Sequence, residues 1–87
     1  MTLFFEKLYP NPVKGVLKIR FNSPDRQRMT IKLYDAAGRL VRNIFDGYTK
    51  PGMNEISYEI GNFPDGVYFV KLDAEGYQRT AKVIYQR

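Results

Sequence analysis

Seven short stretches of this chain alternate apolar and polar residues with a period of two, and each is bounded by Gly, Pro, Asn or Asp. A period of two puts successive side chains on opposite faces of an extended strand, so one face of each is buried and the other wet. The first stretch, residues 3–8, is stopped by Pro10 and Pro12, which cannot donate to a ladder. Residues 15–22 follow, with Leu17, Ile19 and Phe21 facing one way and Lys18 and Arg20 the other. In 29–34, Met29, Ile31 and Leu33 face inward. Residues 39–45 and 54–60 come next, the latter with Ile56, Tyr58 and Ile60 on one face. The last two are 67–72 (Tyr68, Val70, Leu72) and 78–85 (Ala81, Val83, Tyr85). No window sustains a helical period.

The connections carry turn chemistry. Asp35-Ala36-Ala37-Gly38 and Asp73-Ala74-Glu75-Gly76 share the pattern Asp-x-x-Gly. Asp caps the first position of a type I turn and Gly supplies the left-handed residue of the following bulge, so both are expected as hairpin turns. Asp46-Gly47 and Pro51-Gly52 bound a longer link, and Asn62-Phe63-Pro64-Asp65-Gly66 another. Strands at this spacing predict an all-β, seven-stranded antiparallel β-sandwich of the immunoglobulin-like or fibronectin III-like kind. Asp65-x-x-Tyr68-x-Val70 places a Tyr where immunoglobulin domains have a tyrosine corner, with Val70 standing where their Cys would be. Tyr68 is therefore expected to be a folding residue whose hydroxyl bonds to backbone. Eighty-seven residues fit one domain, 1–87, able to bury a core unaided.

Composition removes most chemistry. With no Cys there is no disulfide, thiol catalysis or zinc–thiolate site, and with no His the commonest general base and metal ligand is gone. The aspartates 35, 46, 65 and 73 stand in turns, where Asp belongs for backbone reasons. Ser23 and Ser57 have no His partner, the glycines are scattered singly, and no Asp-x-Asp-x-Asp run offers a calcium loop. The expectation is a protein that is not an enzyme and carries no cofactor or metal. The net charge of +5 is spread along the chain and reads as solvated strand faces, without a nucleic-acid site. Tyr48, Phe69 and Tyr77 are the exposed aromatics that could meet a ligand, with Lys71, Arg79 and Lys82 supplying charge. Phe69 beside Lys71 on one strand face is the best local candidate. No apolar run reaches the roughly 18 residues of a membrane span. The first six residues lack the basic and apolar regions of a secretory leader. Together these leave a cytoplasmic protein or an excised piece of a larger secreted one, and the second is the favoured expectation.

Several segments in order resemble one family. They are Tyr9-Pro10-Asn11-Pro12, then Ile31-x-Leu33-Tyr34-Asp35-x-x-Gly38-Arg39-x-Val41, then Gly66-Val67-Tyr68-Phe69-Val70-x-Leu72, and the tail Lys82-Val83-Ile84-Tyr85-x-Arg87. Across 8–87 the chain resembles the C-terminal sorting domain of type IX secretion cargo, and also the immunoglobulin-like domain of flagellar hook-capping proteins. The resemblance implies a passenger module at the end of a secreted or cell-surface protein of a Gram-negative bacterium, reached through the periplasm. Its implied partners are the outer-membrane secretion translocon, a sortase-like peptidase and the parent's upstream domains, with an anionic polysaccharide as a further candidate. It assigns translocon recognition to Lys82, Val83, Ile84, Tyr85 and Arg87. Tyr9, Pro10, Asn11, Pro12, Asp35, Gly38, Gly66, Tyr68 and Val70 are assigned to the family's structural motifs. The tail could be read by strand addition at a sheet edge. The alternatives are an accessory β-sandwich binding polysaccharide or cell surface beside a hydrolase, or a structural spacer.

Overall fold

In the computed structural model, which describes residues 4–87, the alternating segments form seven strands and no helix. They are β1 (Phe4–Tyr9), β2 (Val16–Ser23), β3 (Arg28–Asp35), β4 (Leu40–Tyr48), β5 (Gly52–Glu59), β6 (Gly66–Ala74) and β7 (Tyr77–Tyr85). Leu3, expected to open the first strand, lies outside the described residues. The strands build two antiparallel sheets, one in the order β1-β2-β5 and the other β4-β3-β6-β7. The result is the disulfide-free, immunoglobulin-like sandwich that the periodicity predicts.

The inward positions of the two sheets make one core. Leu17, Ile19 and Phe21 of β2 meet Met29, Ile31 and Leu33 of β3, Tyr68, Val70 and Leu72 of β6, and Val83 and Tyr85 of β7. Ile56 and Tyr58 of β5 pack against the same cluster. Each fully buried aliphatic side chain contributes about 1.5–3 kcal/mol of transfer free energy. The periodicity therefore decides the fold, because a one-residue register slip would turn all of these into solvent.

The β3–β4 turn forms as its residues dictate. The Gly38 N–H donates to the Asp35 carbonyl at 3.0 Å, and Asp35 Oδ1 accepts from the N–H groups of Ala37 and Arg39 at 3.0 and 2.9 Å. Gly38 has φ of 85°, a conformation that costs any other L-residue about 1–2 kcal/mol. The second Asp-x-x-Gly differs from expectation. Ala74 pairs with Tyr77, so only Glu75 and Gly76 turn, and Asp73 lies inside β6 opposite Gln78. Asp73 caps no turn; its Oδ2 accepts from the Gln78 side chain at 3.3 Å.

β4 and β5 are longer than the alternation suggests. Gly47, expected at a turn, sits within β4 opposite Met29, and β5 starts at Gly52. Irregularities between Ile31 and Lys32, and between Leu33 and Tyr34, set β4 out of step with β3. They allow Val41, Ile44 and Phe45 all to touch the core despite their mixed spacing. The crossing from β4 to β5 is tied by Asn54, whose Oδ1 accepts from the Lys50 N–H at 3.1 Å and whose Nδ2 donates to the Lys50 and Gly52 carbonyls. Ser23 and Thr49, both buried, lie 3.0 Å apart between the sheets and bond to the Asp25 carbonyl.

Candidate functional site

The Tyr9-Pro10-Asn11-Pro12 motif and the chain's last residues, far apart in sequence, are brought together at one end of the sandwich. Two X-Pro peptides in the motif, Tyr9-Pro10 and Asn11-Pro12, are cis. Val13 follows them and is fully buried, forming a parallel bridge to Tyr85. Its N–H donates to the Ile84 carbonyl at 2.8 Å and its carbonyl accepts from the Gln86 N–H at 3.0 Å. Asn11 extends the ladder with its side chain: Oδ1 accepts from the Ile84 N–H at 2.9 Å, and Nδ2 donates to the Lys82 carbonyl at 3.4 Å. The edge-facing backbone of 82–86 is thus already paired by residues 11–13. Strand addition onto this part of the tail, expected above, would first have to displace them.

The tail splits into two sets. Val83 and Tyr85 are buried in the core and present nothing to a partner. Lys82 and Arg87 are exposed and Ile84 half-buried on the outer side. The Tyr85 hydroxyl donates to the Gly61 carbonyl at 2.9 Å, and the Arg87 N–H donates to Asp65 Oδ1 at 3.1 Å, so the β5–β6 link closes over the tail. Tyr68 completes this end. Its hydroxyl donates to the Pro64 carbonyl at 2.6 Å, the tyrosine-corner bond that its position predicts. Its ring meets Tyr85 edge-on at 6.3 Å and Phe63 at 6.0 Å. Burial first, and then the Asp35 charge, push the Tyr68 phenol above its ordinary pKa. Gly66 pairs with Tyr85, and Val70, fully buried, lies between Leu33 and Ala81. Asp35 is held below the usual carboxylate range, chiefly by the Arg39 N–H and then by the Arg39 guanidinium at 3.0 Å.

The two outer faces differ in charge. On the β1-β2-β5 face, Arg20 opposes Glu55 and Val16 opposes Glu59. The Tyr9 hydroxyl donates to Glu55 Oε1 at 2.6 Å, which raises the Tyr9 pKa, and the Lys7 ammonium lies 4.8 Å from the Tyr9 ring centre. On the β4-β3-β6-β7 face, Lys32 directly opposes Lys71, and Phe69 stands between Tyr34 and Lys82. Sequence reasoning found the Phe69–Lys71 neighbourhood but not Lys32 and Tyr34, which reach it through strand pairing. It also missed Val13, whose only signal is an isolated apolar residue among turn formers.

Among the described residues, no group of three or more Asp or Glu side chains is placed to hold a metal ion. Ser23 spends its hydroxyl on Thr49 and the Asp25 carbonyl. No helix among them is long and apolar enough to cross a membrane.

Comparison with known proteins gives two findings. Residues 7–86 match the family model described as the secretion system C-terminal sorting domain. In fold, the chain is similar to part of the crystal structure of dimeric latent PorU from Porphyromonas gingivalis, at a TM-score of 0.77 and 22% identity. That likeness covers 93% of this chain and 9% of the other. No curated protein matches the sequence.

Proposed function

Because this chain belongs to the secretion system C-terminal sorting domain family, we propose that it is the type IX export signal of a larger secreted or cell-surface protein, recognised at the outer membrane through residues 82–87. The match of the family model along nearly the whole chain carries this reading. Domains of this family act as sorting signals and are generally non-catalytic. The partners that follow are the outer-membrane translocon and a sortase-like peptidase acting on the exported protein. Lys82, Ile84, Gln86 and Arg87 are the tail residues a partner can touch in the folded domain, while Val83 and Tyr85 hold them in place from the core. Within the Tyr9-Pro10-Asn11-Pro12 motif, Asn11 serves the same end by bonding to the backbone of Ile84 and Lys82, and Val13, next in the chain, bonds to Ile84 and Gln86.

The test is a transplant. All 87 residues are fused to the C-terminus of a periplasm-directed fluorescent protein in a bacterium that has the type IX system. Reporter on the surface or in the medium, dependent on the fused domain, is the expected result. Retention in the periplasm with the domain folded refutes the assignment. Deleting residues 82–87 is not a usable control, because it also takes buried Val83 and Tyr85 out of the core.

A further inference from the structure

We propose that the secretion machinery reads this domain through the outer face of the β4-β3-β6-β7 sheet, using an apolar strip bordered by lysines, and that the surface it docks there is a protein patch with an apolar centre and a carboxylate rim. The inference rests on the sorting reading and names the part of the domain that performs it.

The first ground is elimination at the tail. The edge groups from Lys82 to Gln86 are engaged by Asn11 and Val13, and the inward side chains Val83 and Tyr85 are buried. What β7 still offers from its last turns of pleat is the side chains of Lys82 and Ile84, on the sheet's outer face.

The second ground is what strand register places beside them. Ile84 opposes Val67, which is 37% exposed, and Lys82 opposes Phe69. Phe69 opposes Tyr34 across β3, and Tyr34 opposes Leu40 on β4, which is 51% exposed. Directly opposed side chains in antiparallel strands are about 4.5–5.5 Å apart at Cβ, so Leu40, Tyr34 and Phe69 form one row and Val67 and Ile84 the next. Val67 and Phe69, two residues apart on the same side of β6, join the rows into one strip on the sheet's outer face, with Tyr34, Phe69 and Ile84 half-buried in it. Outer faces of a monomer's sheets are ordinarily polar, and a joined apolar strip of this kind marks a docking site.

The third ground is charge. Lys32 directly opposes Lys71 one row along, and Lys82 closes the strip on the β7 side. Like charges facing each other across strands are unfavourable. Among the described ion pairs, the two formed within the domain are Arg28–Asp46 and Arg39–Asp35, and neither involves these lysines. The carboxylate nearest in register, Asp73, opposes Thr30 and Gln78 and bonds to the Gln78 side chain. The opposite sheet, by contrast, sets Arg20 against Glu55. An aromatic centre with a one-signed rim is the anatomy of a protein interface, where the ring anchors and the rim charges select the partner.

The experiment uses the same reporter fusion with three versions of the full chain. One carries Lys32→Glu, Lys71→Glu and Lys82→Glu; the second carries Tyr34→Ser and Phe69→Ser; the third carries Lys14→Glu and Lys18→Glu away from this face. Thermal melts of the isolated chains check folding, and Lys→Gln replacements at 32, 71 and 82 substitute if the Glu version does not melt cooperatively. Expected is export of the parent and the third version, with a loss of at least about tenfold in the first two. Failure of the unaltered chain to be exported would overturn the sorting reading itself. Export of all versions alike, or an equal loss in all three, would overturn only the assignment of this face. NMR shifts at Tyr34, Phe69 and Lys71 on adding polygalacturonate, with export unaffected by the substitutions, would replace the protein partner by an anionic glycan.

Discussion

Asn11 should be worth more than an exposed loop amide ordinarily is, because it stands in for a strand neighbour. Replacing it with Ala removes a 2.9 Å bond to the Ile84 N–H and a 3.4 Å bond to the Lys82 carbonyl. A well-formed bond of the first kind contributes about 1 kcal/mol net, and the long second one roughly 0.3 kcal/mol. Asn11→Ala should therefore cost about 1–1.5 kcal/mol, which for a domain of this size lowers Tm by about 5–10 °C. Asn11→Asp is the discriminating companion. Its carboxylate can still accept from Ile84 but cannot donate to Lys82, so at neutral pH it should lose less than half as much. Amide exchange locates the effect: the Ile84 N–H should lose protection markedly in Asn11→Ala, and the Gln86 N–H, held by the Val13 carbonyl, should lose less. Equal destabilisation by Ala and Asp, or a fall in Tm with Ile84 still protected, would refute the idea that this side chain completes the ladder.

Tyr68→Phe should lower stability by about 1 kcal/mol, since it removes the 2.6 Å bond from the buried tyrosine to the Pro64 carbonyl; a shift in urea midpoint at unchanged slope checks this. Asp35 should make the domain acid-sensitive. Its folded pKa lies below the unfolded value of about 3.9, so its contribution is complete above that value and is lost as pH falls through the folded one. The gap in urea midpoint between the parent and Asp35→Asn should accordingly be constant from neutral pH down to about 4 and shrink below it; a gap that persists unchanged would argue against the Arg39 contacts.

What could be read in advance was local. Leu17, Ile19 and Phe21, or Tyr68, Val70 and Leu72, declare their buried face through spacing alone, and Asp35 and Gly38 declare their turn through two backbone requirements. Tyr68 announced its hydroxyl bond by its distance from the start of β6. The departures are non-local or depend on competition between neighbours. In β4, Val41, Ile44 and Phe45 fit no single period because bulges bring all three inward, and Gly47 reads as a turn although it pairs with Met29. The tetrad 73–76 has the same letters as 35–38, yet β6 and β7 continue pairing to Ala74 and Tyr77, leaving Asp73 in the ladder. The bond between Val13 and Ile84 depends on where the two sheets set the chain's ends, which no short window contains. For the same reason Lys32 and Tyr34 could not be placed beside Phe69 until β3 was known to lie next to β6.

The parallel bridge at Val13 and Tyr85 also fixes how the domain would carry a mechanical load. A pull between Tyr9 and Arg87 would draw the two segments past each other lengthwise. The Val13 and Asn11 hydrogen bonds to Ile84, Lys82 and Gln86 would then be loaded together rather than opened one after another. A domain held by its tail end while chain upstream of Tyr9 is dragged would resist in shear, and would yield more readily to a force that peels β7 away from β6.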